Sequence, residues 1–226
     1  RANTEEQFYQ ACKAASILGT LQAAYTSFPY VGETTERITR REALLGVSIT
    51  GMMDNPDVLF DPQIQRNGAK IVKDTNKEIA QIIGINPAAR TTCVKPAGST
   101  SCILGTASGI HPHHAKRYFR RVQANVQENP VQHFKKVNPR AVETSVWDPN
   151  GVTEVITFLC EVPVGAKTKN QIDASKLLES VKLTQQNWVR YGTNKELCTQ
   201  PWLSHNVSNT IHVRQDEWNL IEDYIY

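Results

Sequence analysis

Apolar positions three and four residues apart mark the first long element of the chain. Across residues 4–28 the apolar side chains recur with this spacing, at Phe8, Ala11, Cys12, Ala15, Leu18, Leu21 and Tyr25. Side chains with this spacing share one face of an α-helix. Because a proline cannot continue a helix, the pattern predicts a long amphipathic helix that ends before Pro29.

The chain then alternates between strand-like and helical patterns. After a charged connector, residues 43–50 are mostly apolar, partly β-branched and followed by Gly51, which is typical of a buried strand. Residues 62–83 begin with a proline and end before a glycine, and their apolar side chains predict a second long helix. A strand at 91–95 follows. This order indicates the α/β class, with a mostly parallel sheet covered by helices.

The second half of the chain adds a β-ribbon and further helices. Residues 148–151, Asp-Pro-Asn-Gly, form a turn signal between two strand-like segments and predict a hairpin. The remaining patterns predict strands at 117–124, 141–146, 152–162 and 206–213, and helices at 172–191 and from residue 216 onward. We expect residues 1–226 to form a single partial domain, because an apolar helical face stops at the last residue without a capping signal.

Composition narrows the class of protein. The 226 residues are 40% hydrophobic and 21% charged with a net charge of +3, so neither disorder nor a dedicated nucleic-acid surface is expected. No apolar run approaches the roughly 18 residues that cross a bilayer. The cysteines are odd in number and lack a Cys-x-x-Cys pair, at Cys12, Cys93, Cys102, Cys160 and Cys198. They indicate reduced thiols in a cytoplasmic protein without membrane partners.

The sharpest local feature is residues 91–101, TTCVKPAGSTS. A strand that turns into a helix points free backbone N–H groups at the turn, where the helix dipole adds positive potential. Gly98 allows close approach of an anion to the backbone, and Ser99, Thr100 and Ser101 add donors. Lys95 can add a positive charge. Simple helix capping by serine or threonine is an equally good explanation, and the P-loop pattern is absent.

Two other segments invite a chemical interpretation. His111, His113 and His114 lie close together, but a loop containing Pro112 turns such histidines in different directions, so no metal site is expected. Residues 116–121, KRYFRR, mix basic and aromatic side chains, as single-stranded nucleic-acid binders do. In a strand these side chains are divided between two faces, and the near-neutral charge argues against nucleic acid as a partner.

The cysteines beside the turn are expected to pack rather than react. Cys93 and Cys102 flank it among apolar neighbours, which favours burial over redox work. No serine–histidine–aspartate order, nucleophile elbow, zinc motif or dinucleotide fingerprint is present.

Several blocks together resemble the large chains of ribonucleotide reductases. The clearest are VKPAGSTSCILGTASGIHP at 94–112 and RYFRRV at 117–122. In the order of the family come also LGTLQAAY at 18–25 with Phe28-Pro29, RREALLGV at 40–47 and PWLSHNVSNT at 201–210. The resemblance implies the later part of a ten-stranded α/β barrel. It also implies substrate-phosphate binding by the turn, through Ala97, Gly98, Ser99, Thr100 and Ser101.

The same resemblance places the catalytic residues outside this chain. In the family, a cysteine radical in an Asn-x-Cys-x-Glu-like loop removes hydrogen from the ribose, and a carboxylate assists as general base. Two further cysteines supply electrons as the 2′-hydroxyl leaves as water. That loop precedes the first helix of this chain and its pattern is absent, so no catalytic role is assigned to any of the cysteines.

The blocks KPAGS at 95–99, GIHPHH at 109–114 and WLSHNVS at 202–208 look most like adenosylcobalamin-dependent members. The expected activity is therefore that of an adenosylcobalamin-dependent ribonucleoside-triphosphate reductase, which uses a ribonucleotide substrate and thioredoxin or a similar dithiol reductant. Two alternatives remain open. One is a di-iron reductase with a separate radical subunit, and the other is a non-catalytic nucleotide-binding module.

Overall fold

The structure, a computed structural model, describes residues 2–225, and the side chain of Ile225 is not described. Its contacts divide the chain into two compact units. The first comprises residues 1–113 and 164–226, and the second is residues 114–163. Along the chain, the second unit is inserted between the two segments of the first. The single partial domain expected from the sequence stays a prediction.

The first unit is mainly helical, with one short parallel sheet. In chain order its elements are α1 (Glu5–Ala23), α2 (Glu33–Glu42), β1 (Val47–Ser48), α3 (Pro56–Leu59), α4 (Pro62–Ile83), β2 (Thr92–Cys93), α5 (Ser99–Leu104), α7 (Ala174–Thr184) and α8 (Trp218–Ile225). A 3-10 turn, Met52–Asp54, separates β1 from α3, and a π-helical segment, Gln185–Val189, continues α7.

The two long helices begin and end where the sequence provides signals. Thr4 caps α1 by accepting a hydrogen bond from the Gln7 N–H, and Asp61 caps α4 through two backbone N–H groups. Helix α4 ends at Gly84, which has a positive φ of 74°. The predicted bounds of α4 are confirmed. Helix α1 is shorter than predicted, because it ends at Ala23, ahead of Pro29.

The charged connector is itself a helix, which the sequence analysis missed. Helix α2 is polar almost throughout, so no apolar face announces it. Its signals are electrostatic. Acidic side chains occupy the first turn and basic ones the last, and Glu36 pairs with Arg40 at 2.7 Å, four residues later. Ala43 ends the helix in the left-handed conformation, so the predicted strand at 43–50 shortens to Val47–Ser48.

Strand β1 pairs in parallel with β2, with Val47 opposite Thr92 and Ser48 opposite Cys93. Helices α3 and α4 lie between these strands in the chain, which is the connection that parallel pairing requires. The predicted strand at 206–213 is wrong. Only an isolated bridge between Val94 and Val207 forms there, because the Thr210 N–H donates to the His111 ring instead of a neighbouring strand.

The second unit is a three-stranded antiparallel sheet with one helix. Its elements are β3 (Arg117–Asn125), α6 (Asn129–Val137), β4 (Val142–Thr144) and β5 (Thr153–Glu161), and the strands lie in the order β3-β5-β4. The predicted hairpin is confirmed, since β4 and β5 pair across the 148–151 turn. Helix α6 was not predicted. The ring of Phe134 in this helix packs against that of Phe158 in β5, with the ring centres 5.5 Å apart.

The mixture of helices, a parallel strand pair and a β-ribbon confirms the α/β class. The ten-stranded barrel stays a prediction, because the described residues of the first unit form a sheet of two strands. Within residues 2–225, none of the helices combines the length and apolar composition that a membrane-spanning helix requires.

The core of the first unit is centred on Trp188, which is fully buried. Its indole N–H donates to the Cys93 carbonyl at 2.9 Å, and its ring lies 5.8 Å from that of Phe8. A Cβ at Gly68 would come within 2.5 Å of Phe8 and 3.2 Å of Trp188. Helices α1 and α4 therefore approach each other closely around one aromatic pair.

We expect Trp188→Phe to lower the free energy of unfolding by about 2 to 4 kcal/mol, because it leaves a void and removes the partner of the Cys93 carbonyl. Urea unfolding followed by circular dichroism measures this. Trp202→Phe is the control, since Trp202 is 76% exposed and should change stability by less than about 0.5 kcal/mol. Equal effects of the two substitutions would contradict the assignment of Trp188 to the core.

Candidate functional site

The predicted turn lies directly after β2 and leads into α5. Two side chains from other segments hold its backbone. The Lys95 N–H donates to Ser48 Oγ at 2.9 Å, and the Ala97 N–H donates to Ser108 Oγ at 2.8 Å. The turn is thus tied to β1 on one side and to the chain that returns from α5 on the other.

The middle of the turn offers hydrogen-bond donors to solvent. Gly98, Ser99 and Thr100 are exposed, and in the part of the chain that the structure describes no protein acceptor meets the N–H groups of Ser99 and Thr100. Gly98 has φ −68°, so its backbone needs no glycine. A Cβ at Gly98 would meet nothing within 4 Å, which leaves open space on this side of the turn. These features are compatible with an anion at the turn.

The flanking residues of the turn use their donors internally. Ser101 is buried, and its hydroxyl donates to the Ala97 carbonyl and, at 3.2 Å, to the Gly98 carbonyl. The Ala97 N–H is bound to Ser108. Of the predicted phosphate-binding residues, Gly98, Ser99 and Thr100 are therefore the exposed ones, and their backbone N–H groups have no acceptor among the described residues. The phosphate role of all five residues stays a prediction.

Ser108 and Gly109 belong to this arrangement, although the sequence analysis did not assign them a role. Gly109 has φ +55°, and a Cβ there would lie 2.7 Å from the Lys95 carbonyl oxygen. Only glycine combines this conformation with such a close approach. The signal in the sequence was the Ser-Gly pair at 108–109, because serine and glycine are common in turns.

The three neighbouring histidines have separate partners. His111 donates from Nδ1 to the Ser108 carbonyl at 3.0 Å and accepts the Thr210 N–H at Nε2. His113 is buried, with Nε2 2.5 Å from Asp54 Oδ1. His114 belongs to the second unit and lies edge-on to Tyr118. Among residues 2–225, no group of three or more histidine, cysteine or acidic side chains is arranged to hold a metal ion.

The basic and aromatic segment at 116–121 runs along β3 of the second unit. Arg117 pairs with Glu161 at 2.9 Å, and Arg121 pairs with Glu143. Arg120 lies 6.0 Å from the centre of the Tyr118 ring. Arg117 and Arg121 are therefore cross-strand partners in the sheet, whereas Arg120 contacts a ring on its own strand.

The cysteines lie in distinct surroundings. Cys12 and Cys93 are buried, and Cys160 and Cys198 are half-buried. The prediction of packing is confirmed for Cys93 and wrong for Cys102, which is exposed. Burial raises the pKa of Cys12 to about 12. Burial also raises the pKa of Cys93, although the charge of Lys95 opposes the shift. The thiols of Cys12 and Cys93 are therefore protonated and unreactive near neutral pH.

Several curated proteins are similar to this chain in sequence. The chain is 21% identical over 250 residues to the adenosylcobalamin-dependent ribonucleoside-triphosphate reductase of Lactobacillus gasseri, with 98% of this chain and 32% of the relative covered. The enzyme of the same name from Lactobacillus helveticus is 23% identical with the same coverage. A probable enzyme of this name from Dictyostelium discoideum is 22% identical, over 86% of this chain and 25% of the relative. No family model matches the chain.

The fold is also that of a solved reductase. A crystal structure of a B12-dependent class II ribonucleotide reductase superposes with a TM-score of 0.73, covering 98% of this chain and 33% of that one at 17% identity. The chain spans about a third of the length of the curated relatives it matches. In sequence and in fold, the chain is similar to about a third of a ribonucleotide reductase. The particular relatives are the adenosylcobalamin-dependent ribonucleoside-triphosphate reductases, as the motifs predicted.

Thiol labelling tests the surroundings of the cysteines. At pH 8 a water-soluble disulfide reagent should modify Cys102 in the folded protein at least about tenfold faster than Cys12 or Cys93. Because burial raises the pKa values of the two buried thiols, their reaction should accelerate only as the pH rises further or the protein unfolds. Cys102→Ser should remove this rapid phase. Fast labelling of Cys12 in the native protein would contradict the packing of α1.

Proposed function

We propose that this chain is part of a cytoplasmic, adenosylcobalamin-dependent ribonucleoside-triphosphate reductase, and that its turn at 96–101 binds the phosphates of the nucleotide substrate. The observation that carries the proposal is the set of exposed backbone N–H groups at Gly98, Ser99 and Thr100 that have no acceptor among the described residues, within a chain whose relatives bear that name. A dithiol protein such as thioredoxin would restore the reducing equivalents.

The chemistry of this segment is binding and orientation. An anion at the turn would accept hydrogen bonds from exposed N–H groups and from the hydroxyls of Ser99 and Thr100. The internal bonds of Ala97 and Ser101 would keep the turn from rearranging when the anion binds. A substrate held by its phosphates leaves the ribose to be positioned against a radical cysteine supplied by another part of the protein.

We assign none of residues 2–225 to the cofactor. The ring nitrogens of His111 are both engaged by the protein, and Nε2 of His113 is bound to Asp54, so these imidazoles offer no ready ligand. Adenosylcobalamin, when bound, would supply the radical chemistry.

The test of the function uses the full protein that contains this chain, supplied with ribonucleoside triphosphates and dithiothreitol. We expect deoxyribonucleotide formation that depends on added adenosylcobalamin and needs no iron subunit. Turnover that requires a separate iron subunit would assign the protein to the di-iron class. Nucleotide binding without turnover under either condition would favour the non-catalytic module.

The phosphate role has its own test in the same protein. Replacing Ser99 and Thr100 together by alanine should weaken substrate binding by about 1 to 3 kcal/mol, the cost of lost hydrogen bonds to a charged group. This corresponds to a rise of about 5- to 150-fold in the dissociation constant. The matched control is the double alanine variant of Thr34 and Thr35, which are exposed in the first turn of α2. Unchanged affinity in the first variant would remove the phosphate role.

A further inference from the structure

We propose that the buried pair of Asp54 and His113 positions the phosphate-binding turn, acting through the segment at 106–109 that returns from α5. The inference rests on the proposed function and adds two positioning residues to it. In the described contacts neither side chain belongs to the turn itself, so the effect would pass through the backbone of the return segment.

The pair is short and shielded from solvent. His113 Nε2 lies 2.5 Å from Asp54 Oδ1, and the two side chains are 4% and 7% exposed. A polar pair buried in this way is strongly directional, and removing one partner takes a short hydrogen bond away from the other. An apolar pair of similar volume would fill the same space without fixing an orientation. The polar pair therefore suits a position where geometry matters.

Both partners are anchored by backbone bonds, so the pair has little freedom to shift. The His113 N–H donates to the Lys167 carbonyl at 3.0 Å, and the His113 carbonyl accepts the Lys169 N–H at 2.8 Å. The Lys167 N–H in turn donates to the carbonyl of Met53, the neighbour of Asp54. His113 thus forms a parallel β-bridge with Thr168, and this bridge is bonded to the 3-10 turn that carries Asp54.

Asp54 connects the pair to the return segment. The same Oδ1 that meets His113 accepts the Ala107 N–H at 3.2 Å. The Ala107 carbonyl is held from the same side, because it accepts the Gly51 N–H at 2.9 Å and the Thr50 hydroxyl at 3.1 Å. Both polar groups of the Ala107 backbone are therefore fixed by residues 50–54.

Gly51 allows this close approach. Its φ is +72°, and a Cβ there would come within 2.9 Å of Thr106 Cβ. The Met52 N–H extends the contact by donating to the Gly109 carbonyl at 3.2 Å. Residues 106–109 therefore lie directly against the segment that carries Asp54.

The return segment holds the turn at three points. Ser108 Oγ accepts the Ala97 N–H at 2.8 Å, and the Thr106 N–H donates to the Ser101 carbonyl at 3.0 Å. Gly109 is close to the Lys95 carbonyl, because a Cβ at Gly109 would be 2.7 Å from that oxygen. These contacts flank the exposed donors at Gly98, Ser99 and Thr100 on both sides. A displacement of the return segment would therefore move the donors, and small displacements of binding groups reduce activity by large factors.

The test compares variants in the full protein by the KM for nucleotide, kcat and thermal unfolding. Asp54→Asn keeps the shape of the side chain but removes its charge. We expect it to raise the KM for nucleotide about tenfold while kcat changes less than about threefold. His113→Leu should act in the same direction. His113→Gln places an amide nitrogen near the position of Nε2, and should recover most of the wild-type KM.

The matched control is another buried pair away from the turn. Glu42 and Arg90 are 2.8 Å apart with side chains that are each 9% exposed, and Arg90 holds the carbonyls of Gln200 and Leu203. Glu42→Gln should lower the unfolding temperature and leave the KM for nucleotide unchanged. If Asp54→Asn also lowers only the unfolding temperature, the pair is purely structural and the inference is overturned.

Two further outcomes keep the inference separate from the proposed function. If the alanine variant of Ser99 and Thr100 raises the KM but Asp54→Asn and His113→Leu do not, the phosphate role stands and the positioning role fails. If Asp54→Asn does not fold, Ser108→Ala tests the same path, because it removes the acceptor of the Ala97 N–H while leaving the buried pair intact. A wild-type KM in Ser108→Ala would then overturn the inference.

Discussion

The position of strand β2 determines the rest of the first unit. Strand β2 pairs with β1 and also contacts the π-helical segment at the end of α7. There the Thr92 hydroxyl donates to the Trp188 carbonyl at 2.7 Å, and the Trp188 indole N–H donates back to the Cys93 carbonyl. A Cβ at Gly192 would lie 1.9 Å from Thr92 Oγ1, so the chain approaches β2 more closely than any side chain at that position permits.

The contacts that fix β2 also fix the start of the candidate site, because the turn begins at the end of β2. Two residues of β2 are fixed by a parallel strand and by a helix end, and the chain then leaves the core at Lys95. The exposed donors at Gly98, Ser99 and Thr100 therefore stand on a rigid base. The internal bonds of Ala97 and Ser101 add to this rigidity, since the residues that flank the donors cannot rotate without losing a hydrogen bond. A binding loop on a well-packed support is a common arrangement for a functional site.

The sequence revealed those parts of the structure that depend on local signals. Helix α4 has a proline at its start, an aspartate cap before it and a glycine after it, and its bounds were predicted correctly. Helix α2 was missed because its stability signals are charges rather than an apolar face. The strand predicted at 206–213 failed for a different reason. Side chains from distant segments, Gln185 and His111, bind the Val207 and Thr210 N–H groups, and no local pattern indicates such partners.

The same division applies to the candidate site. The turn at 96–101 could be found from its residue types and from the resemblance to reductases, because the residues that indicate the turn are neighbours in the sequence. The pair that we propose to position it could not be found in this way. Asp54 and His113 are 59 positions apart, and the histidine was considered only as a possible metal ligand. Nor could the sequence show that the Ser101 hydroxyl donates inward, since this depends on the path of the backbone around it.

The most direct test is a crystal structure of the full protein with a bound ribonucleoside triphosphate. It should show phosphate oxygens about 3 Å from the backbone N–H groups of Ser99 and Thr100, with the bond between the Ala97 N–H and Ser108 retained. Phosphates bound at another part of the protein, with the turn at 96–101 facing only solvent, would contradict the account.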